Sequence, residues 1–400
     1  MAVLGNIQPK EVFQLFEELC QIPHGTFNTK KISDHCVRFA KERGLACTQD
    51  AVNNVIIRKP GTEGYENSEP VILQGHMDMV CEKRPGSCHD FSKDPLKLVV
   101  RDGYVMAEDT TLGGDDGIAV AMILALLDSK DIPHPPIEAV FTVDEEQGME
   151  GAIAIDLSGL KGRKLINIDS EEEGILTTGC AGGFRCETSI PLTKESRDGA
   201  VAEVRIHGLK GGHSGAEIHR QRGNAHKLMG RLLNEMKEEF PLFVISIEGG
   251  SKDNVISMEC TARLLVGEEA IDRAREKAEE MKAVWDQEFM GDEPGLAVDM
   301  SVIETGKAVD ACDERTTDRV ISYLVICPNG VQGLARKMEG LVETSLNIGV
   351  IKTEEDKIKV TALVRSSVES QKQMMKRYMQ RCAKLTGAEA EISGEYPAWQ

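Results

Sequence analysis

Three short apolar runs in this chain each stop at residues of the kind that bind metal ions. Val71-Ile72-Leu73 passes through Gln74-Gly75 into His76-Met77-Asp78. Residues 138–143 run into Asp144-Glu145-Glu146, and residues 164–168 into Asp169-Ser170-Glu171. Runs of this length read as buried strands of a parallel sheet. In an open sheet of that kind, ligands bind just beyond the carboxyl ends of the strands. A fourth group comes from Gly113-Gly114-Asp115-Asp116-Gly117, which leads into an apolar helix expected over about 117–128. A helix N-terminus favours negative charge, but one Asp would serve as a cap and two exceed that need. A single acidic strand end is ordinary solvated surface. Three of them, with Asp115, would repel strongly unless a cation neutralised them. One imidazole among several carboxylates suits Zn, Co or Mn better than a thiolate site would. His76 is neutral enough at pH 7 to ligate, and Asp78 is spaced to hold its ring.

Composition narrows the setting. The net charge is -19 and there is no Lys/Arg-rich run, which excludes nucleic-acid binding as the main task. Aromatic residues make up only 4%, too few for a base-stacking platform. No apolar run reaches membrane-spanning length, and no signal-like h-region follows the N-terminus, so a cytoplasmic protein is expected. The eleven cysteines are scattered without a C-x-x-C pair and read as reduced thiols.

The length of 400 residues suggests two or three domains. Periodicity predicts helices over 9–21 and 30–43, and a hairpin across Asp102-Gly103. The character changes at about 188. A strand at 201–207 is followed by Gly211-Gly212-His213-Ser214-Gly215 and a helix over 216–238, which would carry His219. Strands follow at 242–248, 260–266 and 296–304, with a charged helix at 268–288. Helices at 316–326 and 370–386 and strands at 342–350, 357–364 and 388–393 then repeat this order. The expected domains are therefore 1–187 and 188–395, the second made of duplicated sandwich units at 188–305 and 306–395.

Six motifs in this order resemble the dinuclear-zinc aminoacylase/carboxypeptidase/dipeptidase family of metallopeptidases, and within it the aminoacyl-histidine (Xaa-His) dipeptidase branch. They are Gln-Gly-His-Met-Asp-Met-Val, Thr-Leu-Gly-Gly-Asp-Asp-Gly-Ile, Thr-Val-Asp-Glu-Glu-Gln-Gly, Asn-Ile-Asp-Ser-Glu, Gly-Gly-His-Ser-Gly and Leu-Val-Arg-Ser-Ser. The resemblance implies an α/β fold: a three-layer catalytic domain like that of zinc aminopeptidases, with an inserted α+β lid. It implies two divalent metal ions, Zn by preference with Co or Mn as alternatives. His76, Asp115 and Asp169 would bind one; Asp115 would bridge to the second, which Glu146 also binds. Glu145 would be the general base for a metal-bridging water, and Asp78 would orient His76. In the lid, His213 would stabilise the oxyanion, and Asn254 and Arg365 would hold the carboxylate end of a small peptide.

The resemblance also carries an expectation about the end of the chain. Relatives supply a further ligand in a His-Ala-Gly-Leu-Glu-Cys-Gly-like segment after the lid, and the 400 residues reach Trp399-Gln400 without one. The expectation is a C-terminally incomplete chain whose second metal keeps only Asp115 and Glu146. Two other readings stay open: a deacylase of the same family, and a metal-binding or interaction protein without catalysis. No nucleic-acid or membrane partner is expected, and a homodimer is one assembly open to the chain.

Overall fold

The computed structural model describes residues 3–170 and 174–399. Glu171, from one of the motifs, lies outside them. The chain divides into two compact units, Met1–Ile175 and Leu176–Gln400. The break falls ahead of the expected 187/188, because the strand that runs across that position, Gly182–Pro191, belongs wholly to the second unit's sheet.

In chain order the first unit holds α1 (Lys10–Cys20), α2 (Lys30–Glu42), β1 (Ala46–Gln49), β2 (Val55–Lys59), β3 (Val71–His76), β4 (Leu98–Arg101), β5 (Tyr104–Ala107), α3 (Gly114–Asp128), β6 (Ile137–Thr142), α4 (Glu150–Ala154) and β7 (Lys164–Asn167). Five strands form one sheet in the order β1-β2-β6-β3-β7, and β4 and β5 make the hairpin. β3 runs parallel to both β6 and β7. Their carboxyl ends therefore open on one edge, and the ligand-type residues of all three runs arrive there. Alternation along β6 explains its two buried faces. Ile137, Ala139 and Phe141 join Leu73, Val55 and Ile57 against α1, α2 and α3. Val140 faces the other way, into a small cluster with Ile56, Ile72, Ile155 and Leu160. The apolar α3 buries Val120, Ile123, Leu124 and Leu127 in the larger of these cores.

The second unit continues with β8 (Gly182–Pro191), β9 (Lys194–His207), α5 (Ala225–Lys237), β10 (Leu242–Gly249), β11 (Cys260–Val266), α6 (Ile271–Phe289), β12 (Ala297–Cys312), α7 (Glu314–Ile326), β13 (Gly330–Leu334), β14 (Val342–Thr353), β15 (Lys357–Ser366), α8 (Glu369–Leu385) and β16 (Glu389–Tyr396). One sheet runs β12-β9-β11-β10-β14-β15-β8-β16, with β13 against β14. Read along the chain, β9-α5-β10-β11-α6-β12 is a ferredoxin-like βαββαβ unit. A second such unit consists of β8, α7, β14, β15, α8 and β16, in the mirrored spatial order. The first unit is inserted whole between the opening strand and the first helix of the second. The halves are thus 194–312 and, nested around it, β8 with 314–396, not 188–305 and 306–395. Pairing decides this: β8 bonds to β15 and β16 and has no ladder to β9, its neighbour in the chain. The halves meet antiparallel at β10 and β14, corresponding strands of each copy.

One helix is shorter than its pattern predicts. The helix over 216–238 starts only at Ala225, where Asn224 accepts hydrogen bonds from the backbone of His226 and Lys227 and caps it. Residues 218–220, with His219, form a single 3-10 turn.

Candidate metal centre and active site

His76 ends β3 with its ring buried. Its Nδ1 lies 3.0 Å from the carbonyl oxygen of Asp78 and 3.4 Å from Asp78 Oδ1. With two acceptors on that side, Nδ1 carries the proton of the neutral ring. Nε2 then offers its lone pair to the open edge of the sheet, as a metal-ligating imidazole must. Around Nε2 stand Asp115 Oδ1 at 3.0 Å, Asp169 Oδ1 at 3.8 Å and Glu145 Oε2 at 3.9 Å. Ligand atoms of His76, Asp116 and Asp169 lie within 4.8 Å of one another, as do those of His76, Glu145 and Glu146. Two carboxylate sets thus share one imidazole.

Asp78 is fully buried and braces this group. It accepts from the Glu145 and Glu146 backbone N–H groups at 3.0 and 3.4 Å, and from the Thr26 hydroxyl at 3.0 Å. The β6 and β3 ends are thereby fixed to each other. At the start of α3 the backbone of Asp115 and Asp116 departs from helical angles, and both carboxylates turn toward the β3 end. Asp116 accepts from the His76 backbone N–H at 3.0 Å. Gly75 makes room for it, since a Cβ there would sit 2.7 Å from Asp116 Oδ2.

The electrostatics call for a cation. Burial raises Glu145 to about 7, aided by the charges of Asp169, Glu146 and Asp78 against that of His76. Burial and Asp169 push Asp116 up to about 8. Asp169 rises to about 6 and Glu146 rises as well, again with burial leading and neighbouring carboxylates adding. Burial alone would lower His76, but its hydrogen bond to Asp78 and the charges of Asp169, Asp78 and Asp116 outweigh it and raise it to about 10. Asp78 shifts the other way: its burial is outweighed by hydrogen bonds from His76 and the Glu145 backbone. One imidazole and five carboxylates, four of them raised, fit divalent cations of the hard-to-borderline class.

A separate constellation lies in the second unit. His213 Nδ1 accepts from the backbone N–H groups of Gly215 and Ala216, at 3.3 and 3.0 Å. The neutral ring therefore carries its proton on Nε2, free to donate. Burial and the nearby Arg365 charge lower its pKa, which keeps it neutral. Arg365, on β15, donates to the buried Ser214 hydroxyl at 2.8 Å. Asn254 joins through its backbone: its carbonyl accepts from Ser214 N–H at 2.8 Å, beside the Val255–His213 bridge. The expected lid residues His213, Asn254 and Arg365 thus converge through Ser214.

Sequence reasoning missed three residues. Asp116 enters the sequence analysis only as a companion of Asp115, although its place between the glycines at 113–114 and a buried helix was a usable signal. Thr26 gave no signal and Ser214 entered only as part of the Gly-Gly-His-Ser-Gly motif without a role, because each acts through a partner distant in the sequence. Of the remaining histidines, His24 is buried in the same region and feels both Asp78 and His76.

Parallel strands that end together at a carboxylate-rich edge, in a chain that also carries a ferredoxin-like sheet, define a protein suited to hold divalent cations. The peptidase dimerisation domain of the M20 metallopeptidases matches residues 204–293. The cytosol non-specific dipeptidase of Escherichia coli (strain K12) is 37% identical over 402 residues, covering 100% of this chain and 82% of the relative. The crystal structure of aminoacylhistidine dipeptidase from Vibrio alginolyticus is 38% identical, with a TM-score of 0.85 over 99% of this chain and 81% of that one. The chain belongs to the M20 family of metallopeptidases.

Proposed function

We propose that this protein is a metal-dependent dipeptidase, as the names of both relatives suggest, with Xaa-His dipeptides among its substrates, as that of the Vibrio alginolyticus relative suggests. The observation that carries the reading is Glu145. It is a half-buried carboxylate, raised to about 7, aimed at the His76 edge and anchored through its backbone to Asp78. A carboxylate in that place, beside the ligand atoms, can take a proton and return it.

His76, Asp115 and Asp169 would hold one divalent ion, and Asp115 with Glu146 a second. In support of a shared Asp115, its charge raises both Asp169 and Glu146. Zn is the preferred ion, with Co and Mn as alternatives. Bound there, the ions would acidify water and polarise the scissile carbonyl. Asp78 keeps the His76 tautomer fixed. Glu145 takes the proton of the attacking water and passes it to the nitrogen of the breaking C–N bond, so that the amine leaves neutral. His213 would donate from Nε2 to the oxygen that gains charge in the tetrahedral state. Arg365, with Asn254, would hold the carboxylate terminus of the peptide.

The cytosolic name of the bacterial relative supports a cytoplasmic location; no helix among the described residues is long and apolar enough to cross a membrane. A homodimer would have to use surfaces other than the β10 edge, which β14 already occupies.

Glu145→Gln tests the reading. It should keep its metal and lose roughly 2–4 orders of magnitude in turnover of a Xaa-His dipeptide. Near-normal turnover would make Glu145 a structural acid. Cleavage of N-acyl amino acids but not dipeptides by the unaltered protein would make it a deacylase, and metal binding with neither activity a non-catalytic protein.

A further inference from the structure

The residues proposed to grip the substrate come from different halves of the second unit. His213 and Asn254 belong to the inserted half, and Arg365 to the half nested around it. The two halves share a sheet, but their ladder is short: Gly249 opposite Ile351 is the register between β10 and β14. Something else must set the distance between the loop bearing Asn254 and the strand bearing Arg365.

Asn347 does this. It sits on β14, buried to 1% exposure, one strand from Arg365, which pairs with Ser345. Its amide Nδ2 donates to two carbonyls of the inserted half, Asp253 at 2.9 Å and Val255 at 2.8 Å. The segment turns at Asp253 and Asn254, closed by Val255 N–H donating to the Lys252 carbonyl at 3.3 Å. With the carbonyls of 253 and 255 held by Asn347 on either side of it, that of Asn254 is left to Ser214 N–H, which meets it at 2.8 Å. Ile256 N–H in turn donates to Gly212 at 2.9 Å, which ties down the other flank of His213. The oxygen of Asn347 is used as well: it accepts from Asn224 at 3.3 Å, while Asn224 also donates to Ile348 O at 2.9 Å and caps α5. Gly349 lets the loop come this close, because a Cβ there would collide with the Asp253 backbone.

We propose that Asn347 is a positioning residue: its two amide donors clamp the 253–255 segment to β14 and so set His213 and Asn254 against Arg365. The role rests on the substrate-gripping function proposed above for those residues. A satisfied buried amide of this kind is costly to break, because its removal leaves two buried carbonyls without donors.

Asn347→Asp keeps the shape and removes both donors; Asn347→Ala removes the side chain and guards against an effect of the new charge. Two measurements apply to each, on protein with verified metal content. The first is hydrogen exchange. Peptides containing Ser214 and Ile256 should exchange at least about tenfold faster, the equivalent of roughly 1.4 kcal/mol, while α5 and β11 stay protected. The second is the preference for a free dipeptide over its C-terminal amide. It should fall about tenfold through KM with kcat less affected, again by roughly one lost charge-assisted contact. Unchanged protection at 212–216 and 254–257, with only a lower melting temperature, would overturn the proposal. If the unaltered protein shows no preference for free dipeptides, the Arg365 reading fails on its own, and exchange alone decides the role of Asn347.

Discussion

At the end of β3, Glu145, Asp116 and Asp169 all resist ionisation, and His76 holds its proton unusually well. Around β15 the balance is different. Arg365 donates to Ser214, His213 accepts two backbone N–H groups, and Asn347 spends both amide hydrogens on carbonyls. The first group is a set of acceptors waiting for positive charge; the second is complete without one. A site that binds cations must leave its carboxylates mutually uncompensated, and the folding energy for that comes from the apolar core beneath the sheet. A site that recognises an organic molecule gains from rigid, satisfied donors that lose little freedom on binding.

The largest way to break this comparison is to remove a carboxylate from the crowded group. Asp115→Ala should strip most of the bound divalent metal and abolish dipeptide hydrolysis, because both cations are expected to depend on that side chain. Metal analysis of the purified variant is the check, and unchanged stoichiometry would reject the sharing of Asp115. The same change should leave the hydrogen-exchange pattern of the second unit as it was.

A smaller effect is expected from the satisfied group. Arg365→Lys keeps the charge but loses the planar fork that can serve Ser214 and a carboxylate together. It should lower kcat/KM for free dipeptides by roughly 10–100-fold, the equivalent of about 1.5–3 kcal/mol for a hydrogen bond to a charged group. Metal content should not change. Amidated dipeptides should already be poor substrates of the parent and lose little more. Equal losses on free and amidated substrates would mean that Arg365 serves the fold and not the carboxylate.

The two groups also differed in how far the sequence disclosed them. His76, Glu145, Glu146 and Asp169 were legible because each sits immediately beyond an apolar strand, so strand direction alone sends them to one edge. Asp116 was obscured by Asp115, since only the local backbone shows that both carboxylates turn toward the β3 end. In the second unit the repeat of elements was visible, but its nesting was not. β8 lies beside β9 in the chain and pairs with β15 and β16, a long-range choice that no local pattern carries. Asn224 starts at Ala225 the helix expected from 216, yet a lone Asn after Gly223 reads equally well as a loop residue. The residues that fasten loops across the halves, Asn347 and Ser214, act only through partners far away in sequence.

The smallest and most discriminating effect is on stability against pH in the metal-free protein. For Glu145, Asp116 and Asp169 the folded state has the higher pKa, so their contribution is fully present below the ordinary carboxylate range and is lost as pH rises through about 6 to 8. His76, raised to about 10, acts in the same direction above 6.5. The second unit has the opposite bias. Burial lowers His226 to about 4 and, with Arg365, lowers His213, so what they contribute is present above 6.5 and lost only on acidification. Burial lowers His24 and His35 too, which limits the first unit on the acid side. Between pH 6.5 and 8, then, the first unit should weaken and the second should hold. The probes are already in the chain: Trp285 and Trp399, its two tryptophans, both lie in the second unit. Urea unfolding followed by circular dichroism should show a midpoint that falls with pH across this window, while tryptophan fluorescence shows one that does not. Divalent metal should restore the dichroism midpoint at pH 8 and release protons as it binds. A dichroism midpoint that stays level or rises from pH 6.5 to 8 would mean the carboxylates at the β3 edge are not crowded, and the contrast between the two sites would fail at its source.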